Sequence, residues 1–410
     1  MATMLRKIAY KLASTPIYFA SVWAPDRIAD AFVRTTRADQ GLARQGNVVL
    51  AATGGGNIGD QAMLEAVLAN EPGPITVICK AIDDIQIPDS DRNRVTLLPL
   101  RRLLSPVPFA RLRDAARFRA VVRTCERFAI IGADLMDGLY NPGASIIRSS
   151  LSISAAKAGC ESRILGFSWP EKPQKYALTA LRRAGENAKL YARDPISFKR
   201  LCDARVPNAV SSADVVFAFY NVQPVAAAEA RIDAARAGNR KIAVVNVSAL
   251  IEKRMSQAAE YSTILEVLDR LGYEIIVTPH VIRRSGNDLN AAKSVLATVS
   301  TPFYLIEHLM TPSESRWLAG SADVIITGRM HLAIFGLAQG IPAITLGTQG
   351  KVEGLYLHFK SQDLVLQPTT GFGERAARLL TEVTESQTEI SARFTALKSA
   401  ITDLARLNFT

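Results

Sequence analysis

Through most of the chain, short β-branched and aliphatic runs alternate with longer stretches whose apolar positions recur at helical spacing. The runs that predict strands are 47–53, 75–79, 94–98, 128–133, 163–168 and 190–193. An apolar run at 214–219 closes this series. Residues 221–240, NVQPVAAAEARIDAARAGNR, are Ala-rich and carry no strand pattern. The alternation then resumes with strands at 241–247, 274–279, 302–307, 323–327 and 343–346, separated by helices such as 261–271 and 330–339. From about residue 373 the pattern is that of one or two amphipathic helices. Strands separated by helices build parallel sheets covered on both faces. Two such series with a break between them predict an α/β chain of two doubly wound, Rossmann-like domains facing across a cleft. The expected boundaries are a basic extension (1–46), a first domain (47–222), a linker (223–240), a second domain (241–372) and C-terminal helices (373–410). In open parallel sheets ligands bind beyond the carboxyl ends of the strands, so chemistry is sought there.

The first strand runs directly into Gly54-Gly55-Gly56-Asn57-Ile58-Gly59-Asp60 and then a helix, QAMLEAVLAN. Formally this is a GxGxxG turn, and Asp83 and Asp84 follow the next strand where a ribose-binding acid would stand. Against a dinucleotide site, Asp60 sets a carboxylate at the helix start, where a pyrophosphate needs neutral amides. Two readings are left. One is a tight turn with Asp60 as the helix N-cap. The other is a floor of Gly55 and Gly56 that lets a sugar or small anion approach the backbone, with Asn57 and Asp60 as polar contacts.

The strongest constellation is ADVIITGRMHLAIFGLAQGIPAI, residues 322–344: strand, Gly turn, Arg-x-His, apolar helix, Gly-Ile-Pro, strand. Arg329 and His331 thereby fall at a strand's carboxyl end and a helix's amino end. That place carries unpaired amides and positive partial charge, which suits an anion. Arginine adds a planar fork for phosphate or carboxylate, and histidine exchanges a proton near neutral pH. Arg193 ends another predicted strand, before a helix carrying Ser197, either as an anion contact or bridged to its neighbour Asp194. His280 ends the strand VTPH near the presumed cleft, as a site residue or as a loop residue bonded to backbone. Lys351, after the strand at 343–346, either reaches the same anion as Arg329 or is a solvent lysine.

Composition narrows the possibilities. The chain has 410 residues, is 48% hydrophobic and 21% charged, and so has an ordinary globular make-up. Its four cysteines are spread singly without CxxC or finger spacing, and its four histidines lack HExxH spacing. Neither a disulfide scaffold nor a zinc site is expected, and single cysteines fit a reducing cytoplasm. Lys plus Arg number 49 and Asp plus Glu 38, a net charge of +11. Residues 241–410 hold 16 basic and 16 acidic residues, so the first 240 hold 33 and 22 and carry the whole excess. The densest stretch, 92–127, has ten arginines against Asp114 and Glu126. Such a field attracts polyanions or an anionic membrane surface, or is simply a solvated helix face. Nucleic acid is not expected, because no aromatic-interleaved strand or finger accompanies the charge. The N-terminal segment MATMLRKIAYKLASTPIYFASVWAP is interrupted by Lys11 and Pro16, too broken for a signal peptide or a spanning helix. It reads as a basic amphipathic segment lying on a membrane, or as an arm packed on the domain.

Taken together, GGGNIGDQAM, IIGADLMDG, YARDPISFKRL, SSADVVF, VTPH, NDLNAA and TGRMHLAIFGLAQGIPAITLG with Lys351 resemble the polysaccharide pyruvyl transferase family over about residues 47–360. The Arg-Met-His segment is the most specific part. The resemblance implies a GT-B-like fold and transfer of the enolpyruvyl unit of phosphoenolpyruvate onto a sugar, usually as a cyclic ketal. It implies that Arg329 and His331 hold and act on phosphoenolpyruvate, that Arg193 and Lys351 are further anion contacts, and that Asn57 and Asp60 line the acceptor side. Where many members carry a GGG-like turn, this chain has Gly132-Ala133-Asp134. The chemistry needs an acid for the methylene carbon, for which His331 is the candidate, and a carboxylate, Asp60 or Asp134, to take hydroxyl protons. No metal and no cofactor are expected, with phosphoenolpyruvate as co-substrate. The expected setting is cytoplasmic exopolysaccharide synthesis, with a sugar or lipid-linked oligosaccharide as acceptor and a peripheral position on the inner membrane face. Two alternatives stand beside this: a GT-B glycosyltransferase using a nucleotide sugar, with Glu307 as ribose contact, and a catalytically silent, membrane-docked assembly subunit.

Overall fold

The computed structural model describes residues 15–34, 44–52, 55–105, 107, 110–284, 286–297, 299–347 and 351–410, with the side chains of 29–34 left out. Half of the basic extension (1–14 and 35–43), residue 53 of the first expected strand, Gly54, and residues 348–350 before Lys351 lie outside the described residues.

The chain forms two compact units. The first comprises the described residues up to 52, with 63–215 and 404–410; the second comprises 55–62 and 216–403. The turn bearing Asn57 and Asp60, expected with the first domain, therefore clusters with the second unit.

The first unit is built on a seven-stranded, all-parallel sheet of β1 (Asn47–Leu50), β2 (Ile75–Cys79), β3 (Val95–Pro99), β4 (Arg127–Ala133), β5 (Glu161–Phe167), β6 (Lys189–Ala192) and β7 (Ala209–Ser211). Its order is β3-β2-β1-β4-β5-β6-β7, so β1 stands between β2 and β4 and the winding reverses there. Central strands such as Asn47–Leu50 are buried along their whole length, which is why the residues after Asn47 are apolar in succession rather than at every second position. Helix Pro16–Arg34 packs on the helices Leu112–Val122 and Pro142–Lys157. Val22 and Trp23 enter the core, and Asp26 receives both Nη atoms of buried Arg111 at 2.9 and 2.6 Å. Over this stretch the extension is an arm packed on its own unit. Several of the clustered arginines are likewise committed: Arg94 bonds Asp91 at 2.8 Å and Arg127 bonds Glu71 at 3.3 Å, while Arg101, Arg102, Arg113 and Arg117 face solvent. Asn408 closes the unit. Its carbonyl accepts from Arg163 at 3.2 Å, its side-chain oxygen from the Gly166 amide at 2.9 Å, and its Nδ2 donates to Ala213 at 3.1 Å.

The second unit carries β8 (Lys241–Asn246), β9 (Tyr273–Val277), a hairpin of β10 (Ile282–Arg283) and β11 (Gly286–Asn287), then β12 (Tyr304–Leu305), β13 (Val324–Thr327), β14 (Ala343–Leu346) and β15 (Val365–Leu366). Its six-stranded parallel sheet has the order β12-β9-β8-β13-β14-β15. The run at 214–219 is a buried 3₁₀ turn, Val215–Ala218, and the Ala-rich stretch forms the helix Ala226–Ala237 against β8. The C-terminal helices are Phe372–Glu385 and Gln387–Arg406. Among the described residues, no helix is long and apolar enough to cross a membrane.

Candidate active site

In the second unit, β8, β9 and β13 bring their carboxyl ends together around one buried carboxylate. Asp288 starts the helix Asp288–Leu296 and is fully buried. Its Oδ1 accepts from the Ala249 amide at 3.0 Å, and its Oδ2 from the amides of His280 at 3.2 Å and Val281 at 3.0 Å. These donors follow β8 and β9. The same carboxylate takes Arg329, after β13, through Nε at 3.0 Å and Nη2 at 2.5 Å. A desolvated carboxylate is tolerated only when charge and donors surround it, and here both do. The pairing fixes the guanidinium plane and turns its Nη1 edge away from Asp288, with the side chain still 16% exposed. Arg329 stands just before the helix Met330–Leu337, and its own amide donates to Thr327 Oγ1 at 2.9 Å. Gly328 fits because a side chain there would come 2.7 Å from Ser248 Cβ.

The glycine turn reaches this centre through its backbone. Asn57 bridges Val281, the Ile282 amide donates to the Gly56 carbonyl at 2.8 Å, and the Ile58 amide to the His280 carbonyl at 3.2 Å. Gly56 has φ +70°, and a Cβ there would lie 2.0 Å from the Ile282 carbonyl. The room left at Gly56 is thus filled by this chain's own backbone, which is a reason for glycine distinct from the expected floor for a sugar or anion. Gly55 shares the left-handed conformation at φ +79°. The helix Ile58–Asn70 is capped by Asn57, whose Oδ1 accepts the Gly59 amide at 3.0 Å; Asp60 lies inside the first turn instead of capping it. This corrects the reading of Asp60 as N-cap: the helix is capped three residues earlier, where Asn57 pairs with Val281.

His331, in the first turn of its own helix, lies against that helix start. A Cβ on Gly59 would come 2.2 Å from His331 Nδ1. Asp60, one residue on, faces Arg283 of the β10–β11 hairpin, Nη1 to Oδ2 3.7 Å. His280 is buried, its ring edge-on to Phe335 with centroids 6.2 Å apart, and its Nε2 has no hydrogen-bond partner. Burial, then the neighbouring His331 and Arg329, push its pKa well below the usual 6.5, so its imidazole is neutral. Lys351 stands half-buried at the start of the helix Val352–Leu357, beyond the carboxyl end of β14.

The structure therefore brings His331, Arg329, His280, Asn57, Gly56 and Asp60 together in one unit. Arg193 and Asp134 belong to the first unit, where they bond each other. Arg193, after β6, donates to Asp214 at 2.9 Å, to Asp134, and through Nε to Ser168 at 2.7 Å. Burial disfavours its charge, but Asp134, Asp214 and Asp194 outweigh that and raise its pKa above the usual arginine value. The bridge expected with Asp194 takes another form: Asp194 caps the helix Pro195–Asp203, accepting the Ser197 amide at 2.7 Å and its hydroxyl at 2.6 Å. Ala133, where the GGG-like turn is expected, has φ +46°, a conformation glycine favours. Glu307 is exposed and paired with Lys293 at 2.6 Å. Among the described residues, no three His, Cys, Asp or Glu side chains group so as to hold a metal ion. The residues that sequence reasoning left without a role are Asp288 and Asp214, whose signals were an acid opening an apolar helix in NDLNAA and the acid of SSADVVF.

Two parallel-sheet units of seven and six strands with interleaved helices define the GT-B class of α/β architecture, shared by glycosyltransferases and sugar epimerases. Solved structures bear this out as fold likeness. A putative UDP-N-acetylglucosamine 2-epimerase from Listeria monocytogenes matches at TM-score 0.57 and 9% identity over 89% of this chain and 94% of that one. A UDP-glucosyltransferase from Polygonum tinctorium matches at 0.54 and 12% over 90% and 98%. A glycosyltransferase from Rickettsia africae matches at 0.54 and 13% over 89% and 93%. No curated protein matches the sequence. The family model described as polysaccharide pyruvyl transferase matches residues 57–350. The chain belongs to that family and is a transferase.

Proposed function

We propose that the chain moves the enolpyruvyl group of phosphoenolpyruvate onto a sugar of an exopolysaccharide or lipid-linked glycan, forming a pyruvate ketal and releasing phosphate. The observation that carries this reading is the Asp288–Arg329 fork beside His331, at the strand ends of the second unit. A compact phosphate- and carboxylate-bearing molecule matches the Nη1 edge of Arg329 and the amino end of the helix Met330–Leu337. His331 protonates the methylene carbon, giving an oxocarbenium-like centre at C2. A sugar hydroxyl attacks C2, phosphate departs toward Arg329, and the second hydroxyl closes the ring. Asp60 accepts the first hydroxyl's proton, which then restores His331, and the departing phosphate takes the second hydroxyl's proton; Asp134, bound to Arg193, serves the first unit's scaffold. Lys351 adds charge, and neutral His280 offers a hydrogen bond through Nε2. A lipid-linked acceptor suits the solvent-facing Arg101, Arg102, Arg113 and Arg117, which would meet an anionic inner-leaflet surface.

The test is phosphate release from phosphoenolpyruvate with a panel of lipid-linked glycans, run beside His331→Ala. The expected result is acceptor-dependent release by the native chain and its loss in the variant. Micromolar binding of UDP-sugars, with no response to phosphoenolpyruvate in binding or release, would overturn the reading in favour of a nucleotide-sugar glycosyltransferase.

A further inference from the structure

In a parallel strand-helix-strand unit, the helix carries the chain back to the edge from which the first strand set out. Residues just before two neighbouring strands therefore meet, however far apart they are in sequence. β4 and β5 are such neighbours, with Arg127 in register with Glu161. Cys125 stands two residues before Arg127, and Cys160 one residue before Glu161. Their Sγ atoms are 3.1 Å apart although 35 positions separate them in the chain. Both are buried free thiols.

Their surroundings are unequal. The Arg44 guanidinium donates through Nη1 to the Cys125 carbonyl at 3.2 Å, and the same nitrogen is 4.0 Å from Cys160 Sγ. The hydrogen bond from Cys125, with Arg44 and Arg119 nearby, holds the Cys160 thiol below its usual pKa despite burial. The hydrogen bond to Cys160, and then burial, push Cys125 up. Arg44, 4.0 Å from Cys160 Sγ, favours a thiolate on that sulfur once its hydrogen bond to the Val122 carbonyl at 2.7 Å is given up, which leaves Cys125 as the resolving thiol.

We propose that Cys125 and Cys160 are a site of covalent modification, an intramolecular disulfide formed when a peroxide oxidises the pair. In the first step the Cys160 thiolate attacks one peroxide oxygen. The O–O bond breaks, the hydroxide leaving group takes a proton to become water, and Cys160 becomes a sulfenic acid. In the second, Cys125 sulfur attacks the Cys160 sulfur and expels its hydroxyl, which takes the Cys125 proton and leaves as water. In sum, two thiols and one hydrogen peroxide give one disulfide and two waters. The sulfurs have only about 1 Å to close to reach a bond of roughly 2.05 Å. The bond forms at the amino ends of β4 and β5, whereas Arg193, Asp134, Arg329 and His331 all follow the carboxyl ends of strands. It staples the first unit's central strands without touching either cluster.

The test uses the reduced full-length chain treated with hydrogen peroxide, then alkylated and mapped by mass spectrometry. The expected product is two hydrogens lighter, links the tryptic peptides 124–127 and 158–163, and forms equally in Cys202→Ser, which lacks the exposed thiol. The cross-link is lost in Cys125→Ser. Oxidation raises Tm by about 5 °C, reversed by dithiothreitol, as expected for closing a loop of this length. Recovery of both thiols alkylated, of Cys160 as sulfinic acid only, or of a bond that involves Cys202 instead would overturn the proposal.

Discussion

Arg193 and Arg329 occupy matching places in the two units, each following a parallel strand and preceding a helix. In sequence they promise the same thing, a cation at a strand's carboxyl end. In the fold they differ in their acids. Arg193 meets two carboxylates and a serine hydroxyl and is 3% exposed. Arg329 meets one carboxylate, which takes only its Nε and Nη2, and keeps 16% of its side chain exposed. A guanidinium has five N–H donors. When the scaffold takes most of them the arginine is a structural tie; when it takes two, the rest are oriented for something else. The number of acids within reach separates the two roles, and the sequence near each arginine does not reveal that number.

Breaking the first centre should give the largest effect. Arg193→Ala leaves Asp134 and Asp214 uncompensated, and urea unfolding should show a loss of about 3–5 kcal/mol. If the variant keeps its stability but loses phosphoenolpyruvate affinity, the contrast between the two arginines is reversed. Gly59→Ala puts a methyl against His331 Nδ1 and should cut turnover by about 100-fold, since a misplacement of about 1 Å costs that much. Circular dichroism should show the helix intact, so that the loss is assigned to the ring. Arg329→Lys keeps the charge but not the fork. Phosphoenolpyruvate affinity, read by calorimetry, should fall roughly 30-fold, equivalent to about 2 kcal/mol, with acceptor binding unchanged. The smallest effect is one of pH. His280 binds a proton less readily folded than unfolded, so stability is full above pH 6.5 and declines as pH falls below it. The decline is about 1.4 kcal/mol per pH unit until the depressed folded pKa is reached. Unfolding curves of the native chain and His280→Gln, taken from pH 7 to 5, should diverge by that slope.

The long parallel strands and the helices between them were legible because burial on both faces forces uninterrupted apolar runs. The short elements were not. β7, the β10–β11 hairpin and β15 are two or three residues each, too brief to set a period. The run at 214–219 has a strand's composition, yet its residues are buried in a single 3₁₀ turn, where packing overrides β-propensity. In the site, Arg329, His331 and His280 were visible from their place after strands. Asp288 was not, because an acid at a helix start usually serves only the helix dipole, and its role depends on three strand ends converging. The pairing of Gly56 with Ile282 was hidden for the same reason: backbone contacts over more than two hundred residues leave no local mark. Cys125 and Cys160 looked isolated because the parallel crossover, and not sequence spacing, unites them.

Asn408 ties down Gly166, Arg163 and Ala213 from more than a hundred and ninety positions downstream. A nascent chain therefore cannot finish its first unit until residues 404–410 have left the ribosome, whereas the second unit, complete at 403, can settle earlier. Vectorial synthesis here runs against the usual order of amino-terminal domain first. Until Asn408 arrives, the Gly166 amide and the Ala213 carbonyl of the larger sheet lack these partners, while Arg163 is held by Glu71 and Glu161 alone.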